Sequence, residues 1–161
     1  MTATPVTIRP AVIRDWPAVS ELWRALDEAH ASLRPDLFPM SDAGEPRSVY
    51  LSALEDPEAW IGVAEQTGTI VGSVEIMIHE FGWPGTRWRQ QWALLVRLYV
   101  RPEVRGQGIG RRLFEAARNW ASDRGIREML WLVWTPNPEA SRFYRGLGAE
   151  TMGEIQRLRW D

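Results

Sequence analysis

The chain has 161 residues, 45% apolar and 25% charged, which suits one globular domain with a sizeable core and excludes disordered or coiled-coil composition. A net charge of −2 argues against a general nucleic-acid binder. The absence of cysteine excludes disulfides, thiolate metal sites and a covalent intermediate on a thiol.

All 19 basic residues are arginine, and ten residues are tryptophan. The first reads as genomic codon bias, the second as core filler with large apolar area. No basic stretch followed by an apolar one opens the chain, and no apolar run is long enough to span a bilayer. A soluble cytoplasmic protein is the expectation, with no membrane and no nucleic-acid partner.

In chain order, Val6–Ala11 reads as a short strand. Asp15 is placed to cap a helix, Pro17 suits its first turn, and Trp16, Val19, Leu22, Trp23, Leu26 and His30 recur at helical spacing to about Ala31. Arg34–Pro46 holds four prolines and glycines and reads as a loop, although Leu37, Phe38 and Met40 are unusual in a solvated one. A second helix fits Arg47–Leu54 and ends before Pro57.

Ala59–Glu65 and Ile70–His79 read as strands joined by a turn at Gly68. A further turn over Phe81–Arg89 precedes Gln91–Val100, where Trp92, Leu94, Val96, Leu98 and Val100 alternate with more polar positions as one apolar strand face. A helix from Gly108 to Arg124 buries Ile109, Leu113, Phe114, Ala117, Trp120 and Ala121. Met129–Trp134 reads as a buried strand, Pro138–Arg145 as a short helix, and Glu150–Trp160 as one or two last strands. The order gives mixed α/β: a mostly antiparallel central sheet of six or seven strands flanked by about four helices, with a parallel crossover late in the chain.

The strongest chemical signal is Arg105-Gly106-Gln107-Gly108-Ile109-Gly110, between a strand end and a helix start. Successive backbone N–H groups in such a turn, with a helix N-terminus behind them, suit an anion. A dinucleotide fingerprint requires G-x-G-x-x-G at the first strand–helix turn, and a Walker loop requires lysine; both readings fail here.

In this context Leu98-Tyr99-Val100-Arg101-Pro102-Glu103-Val104 and the Arg105–Gly110 turn resemble the acetyl-CoA signature of the GNAT superfamily of N-acetyltransferases. Asn137–Gly148 resembles the same family's second motif, and the order of elements is similar throughout the chain. The resemblance implies one acetyltransferase domain over residues 1–161, using acetyl-CoA as cosubstrate without a metal.

By that resemblance, Arg105, Gly106, Gln107, Gly108, Ile109 and Gly110 bind the CoA pyrophosphate, with Arg111 beside them. The backbone of Leu98, Tyr99 and Val100 pairs with the pantetheine arm, Asn137 bonds to it, and Phe143 lies in the same motif. Tyr144 is the general acid for the leaving thiolate. Without cysteine, direct attack by an amine on the thioester is the simplest route.

The base is less evident, because Arg97 stands where many relatives carry an acidic residue near the end of the fourth strand. Glu75 and His79 share a face of the preceding strand; Glu75 is the candidate, acting through a water. The amine should lie against residues 30–50, with His30 and Phe38 as contacts and Leu37, Asp36, Asp42 and Glu45 nearby. Apolar surface beside carboxylates suits a cationic amine.

A small-molecule amine is favoured slightly over a peptide or protein amine. The alternative is a CoA-binding sensor without turnover. A homodimer is a family expectation, and Trp83, Trp88 and Trp92 are read as a lid or a dimer contact.

Overall fold

A computed structural model describes residues 5–38, 45–82, 89–155 and 157–158. The sequence-level readings for Met40, Asp42, Trp83, Trp88 and the last three residues lie outside these. Among the described residues one sheet runs in the order β1 (Val6–Pro10), β2 (Ala59–Gln66), β3 (Thr69–Gly82), β4 (Arg89–Val100), β5 (Met129–Leu130). The first four strands pair antiparallel and the last pairs parallel to β4.

Helices α1 (Trp16–Leu33) and α2 (Arg47–Glu55) cover one face. Their buried Val19, Leu22, Trp23 and Tyr50 meet Ile61, Val63 and Ile70 from the sheet. Tyr50 satisfies its hydroxyl by donating to the Val12 carbonyl at 2.7 Å. Helix α3 (Ile109–Ser122) covers the other face through Ile109, Leu113, Phe114, Ala117 and Ala121, against Val74, Ile76, Ala93 and Leu95. Helix α4 (Pro138–Arg145) follows β5.

The α/β class and element order expected above are present, with five strands among the described residues in place of six or seven. The missing last strands account for the difference in number, and the fifth strand is shorter than expected. The reading of Met129–Trp134 as a strand holds only for Met129 and Leu130, and residues 149–155 form no strand. An apolar run does not by itself distinguish a strand from packed coil, and here Trp131 packs partly buried against the α3 core while Leu132 is exposed.

Asp15 is also corrected. It does hold the N-cap position of α1, at the end of a short 3-10 turn over Ile13–Asp15, but its side chain makes no capping bond to that helix. The Asp15 carboxylate instead accepts from Val12 N–H at 2.9 Å and from Arg9 at 2.7 and 3.0 Å.

The strict alternation read in β4 is broken. Glu75 pairs with Arg97 and Ile76 with Leu95, so Val96 is one residue extra. A one-residue bulge flips the faces of everything beyond it. Before it, Ala93 and Leu95 face the α3 core; after it, Leu98 and Val100 do, while Tyr99 packs on the α1 side. Val96 itself is left 39% exposed.

Candidate active site

The bulge and the brevity of β5 create the site together. β5 pairs only with Ala93 and Leu94, so beyond the bulge β4 carries no strand on its far side among the described residues. Arg101 N–H donates to the Val71 carbonyl at 2.9 Å, and backbone alternation then turns the peptide groups of Leu98 and Val100 toward that open edge. Such an edge can pair with an extended amide-bearing ligand as another strand would.

The glycine turn lies just beyond this edge. Gly106 and Gly108 have φ of +77° and +76°, where an L side chain is strained, and a Cβ on either would meet nothing within 4 Å. The space in front of the turn is therefore open. The first intrahelical bond of α3 runs from Arg112 N–H to the Gly108 carbonyl at 3.1 Å, so the N–H groups of Ile109, Gly110 and Arg111 precede the ladder. Ile109 anchors the turn with a buried side chain.

The nearby side chains make specific ties. Arg105 donates through Nε to the Val100 carbonyl at 3.0 Å and through Nη1 to Glu139 at 3.1 Å, so it spans from the open edge to α4. Arg111 donates to the Gly146 carbonyl at 3.0 Å. Gln107 accepts from Gln66 at 3.4 Å. Asn137 caps α4, its Oδ1 accepting from Ala140 N–H at 3.0 Å. Phe143 packs on Gly110, where a Cβ would stand 3.3 Å from its ring; α3 and α4 meet through that contact.

Tyr144 follows Phe143 and sits in an aromatic enclosure. Its ring centroid is 4.7 Å from Trp131, 5.1 Å from Phe143 and 6.3 Å from Phe114. Burial pushes its phenol up to about 12. The group is protonated throughout the physiological range.

On the α1 side lies a cluster of charge. Glu75 is 4% exposed and bonded to Arg97 Nη1. Arg97 Nη2 reaches Glu45 at 2.9 Å, and its guanidinium lies 4.3 Å over the Trp23 ring. Glu75, read from sequence as a base, is thus occupied in a buried ion pair. Asp27 faces the same cluster: burial raises its carboxyl, opposed by Arg97 and reinforced by Glu45. His30 is lowered by burial and is neutral at pH 7, with Asp27 acting in the opposite direction. Its ring packs 5.0 Å from Phe38, which meets Trp134 edge-on at 5.3 Å.

The structure therefore brings His30 and Phe38 together, while Tyr144 packs with the α3 core. Sequence reading missed Asp27, Trp131 and Trp134. The spacing Trp23, Asp27, His30 on α1 was the available signal for the first. Among the described residues no group of three or more His, Asp or Glu stands at metal-holding distance.

A sheet parted beyond β4, with a glycine turn at a helix N-terminus on its rim, is the architecture of an acyl-CoA-dependent transferase. Residues 19–149 match the model of the Acetyltransferase (GNAT) family, and the chain belongs to that family as an acetyl-CoA-dependent N-acetyltransferase. It is 30% identical over 160 residues to an aminoglycoside N(6')-acetyltransferase type 1 from Stenotrophomonas maltophilia, covering 99% of this chain and 95% of that protein. Among solved structures, a tetramutant of the BH1408 protein from Bacillus halodurans superposes with a TM-score of 0.88 at 24% identity, covering 96% and 99% of the two chains. The aminoglycoside N-acetyltransferase AAC(6')-Iy, in complex with a bisubstrate analogue of CoA and acetylneamine, gives 0.71 at 22% identity, covering 98% and 99%. The two structural likenesses establish the fold.

Proposed function

We propose that this protein moves the acetyl group of acetyl-CoA directly to the primary amine of a small cationic molecule. The observation that carries the reading is the charge beside the open β4 edge: Asp27, Glu45 and Glu75 surround one guanidinium, that of Arg97. With His30 neutral, three carboxylates against one cation leave a site that attracts positive charge. The aromatic faces of Phe38 and Trp134 suit the body of such an amine. The aminoglycoside-acetylating relative, similar along almost its whole length, is consistent with this acceptor class.

In this account the pyrophosphate rests on the N–H groups of the Arg105–Gly110 turn. The pantetheine arm extends along Leu98, Tyr99 and Val100, and the Asn137 amide N–H groups, not used in its cap, are available to it. The amine nitrogen attacks the thioester carbonyl. A backbone N–H between Leu98 and Val100 receives the developing oxyanion. As the C–S bond breaks, Tyr144 donates its hydroxyl proton to the sulfur. No acetyl-enzyme on a thiol can form, since cysteine is absent.

The chain is read as one acetyltransferase domain over residues 1–161, cytoplasmic and dimeric. The exposed Leu132, Met152, Ile155 and Leu158 support a second copy, and light scattering tests it. The activity is tested by acetyl-CoA-dependent thiol release across spermidine, cadaverine, kanamycin, free lysine and a basic peptide. Faster release with the polycations supports the reading; release with the peptide alone contradicts it.

A further inference from the structure

The acceptor enters at neutral pH as an ammonium, so some group must remove a proton before the nitrogen can attack. Glu75 is buried and held by Arg97, and Arg97 is in turn held by Glu45. Among the described residues the side chains of Asp27 and His30 make no hydrogen bond or ion pair. They stand three positions apart on α1, one turn, and so share a face. That face looks toward Arg97, the residue immediately before Leu98 on the open edge. His30 is fixed by its contact with Phe38, and Phe38 by Trp134 in the connection from β5 to α4. The imidazole therefore sits on the wall that runs from α1 to the far side of the cleft.

We propose that His30 takes the proton from the acceptor ammonium and that Asp27, one turn earlier, balances the charge His30 gains. The proposal rests on the amine-acceptor reading above. One N–H bond of the ammonium breaks, its electron pair stays on nitrogen, and an unprotonated ring nitrogen of His30 takes the proton. The neutral amine then attacks the thioester carbonyl. When the C–S bond breaks, the sulfur takes the proton of Tyr144, and the tyrosinate takes the surplus proton of the new amide nitrogen. His30 returns its proton to water, so the sum is one acetyl amide, one thiol and one proton.

The charged groups around His30 agree with this role. Asp27 on its own helix favours the imidazolium, while Arg97 and Glu45 act on Asp27; Glu75 is held in its pair with Arg97. Phe38 and Trp134 contribute no charge and keep the ring partly out of water, which holds it unprotonated and ready to accept.

The test is the pH dependence of kcat between pH 5 and 9, with the fastest acceptor of the panel above, for wild type, His30→Gln, His79→Gln and Asp27→Asn. Wild type should show a rising acid limb with its midpoint below the ordinary histidine value of 6.5. His30→Gln should lose that limb and about 100-fold in kcat, the low end for general base catalysis. Its KM for acetyl-CoA and its stabilisation by CoA should stay at wild-type values, which shows that it is folded. Asp27→Asn should keep the limb but shift it to lower pH, because the counter-charge is gone. Retention of the limb in His30→Gln, or its loss in His79→Gln instead, overturns the assignment. A wild type that transfers to none of the amines overturns the acceptor reading and the base with it; transfer with an unaltered His30→Gln profile overturns the base alone.

Discussion

Arg97→Met should destabilise the protein far more than Glu75→Gln, and combining the two should restore most of the loss. Glu75 is 4% exposed, so removing its guanidinium partner leaves a carboxylate in a site that water does not reach. Breaking a buried pair in this way costs about 3–5 kcal/mol. The contact of Arg97 with the half-exposed Glu45 adds about 0.5 kcal/mol, screened by solvent. For a chain of this size, a total of about 4 kcal/mol corresponds to a fall of roughly 8–16 °C in Tm. Glu75→Gln keeps a hydrogen-bonding group of the same shape and leaves Arg97 its tie to Glu45, so its cost should be no more than about 2 kcal/mol. In the double variant no buried charge is stranded, and the coupling should recover about 2–3 kcal/mol. The assay is a double-mutant cycle by urea denaturation, with amine-dependent thiol release measured on the same samples. Additive losses would refute the buried-pair reasoning. A Glu75→Gln protein that is stable but without turnover would return Glu75 to the role of base.

Three further outcomes follow from the site. Tyr144→Phe keeps the ring among Trp131, Phe143 and Phe114 and removes only the hydroxyl; kcat should fall about 100-fold with little change in acetyl-CoA affinity, and undiminished turnover would remove Tyr144 as the acid. Gly108→Trp places bulk in the open space before the turn, at a φ of +76°, and should abolish acetyl-CoA binding by calorimetry; tight binding by a folded variant would defeat that placement. Tyr144 and Tyr50 are both raised by burial from 10 to about 12, so their neutral forms are favoured in the folded state. Their contribution is intact below pH 10 and is lost as pH rises toward 12, about 2–3 kcal/mol for each. Urea unfolding from pH 9 to 11.5 should show a decline that is shallower in Tyr50→Phe.

The four antiparallel strands, the helices that flank them and the glycine turn were legible because each has a local cause. Alternating β-branched residues, a helical stripe from Trp16 to His30, and glycines before an amphipathic helix need no knowledge of the rest of the chain. The bulge at Val96 was not legible. Leu94, Leu95 and Val96 are all apolar, so a one-residue insertion leaves no mark on composition, and only the pairing of Glu75 with Arg97 reveals it. The occupation of Glu75 had the same origin: its partner is 22 positions away and its second neighbour, Glu45, 52 positions from Arg97. Arg97 stood out from sequence as a departure from the family pattern, but its effect depends on Trp23 and Glu45, which only the fold brings beside it. Trp131 and Trp134 were absorbed into an expected strand, although one encloses Tyr144 and the other Phe38.

The central claim is direct transfer to a small cationic amine, and the fate of a labelled acetyl group tests it. With no lysine and no cysteine in the chain, the intact protein has almost nothing of its own to acetylate. Mass spectrometry of both the small-molecule fraction and the intact protein, after reaction of isotopically labelled acetyl-CoA with spermidine and kanamycin, should find the label only on the amine, in amounts equal to the CoA released. Free labelled acetate, or label retained on the protein, would contradict the account.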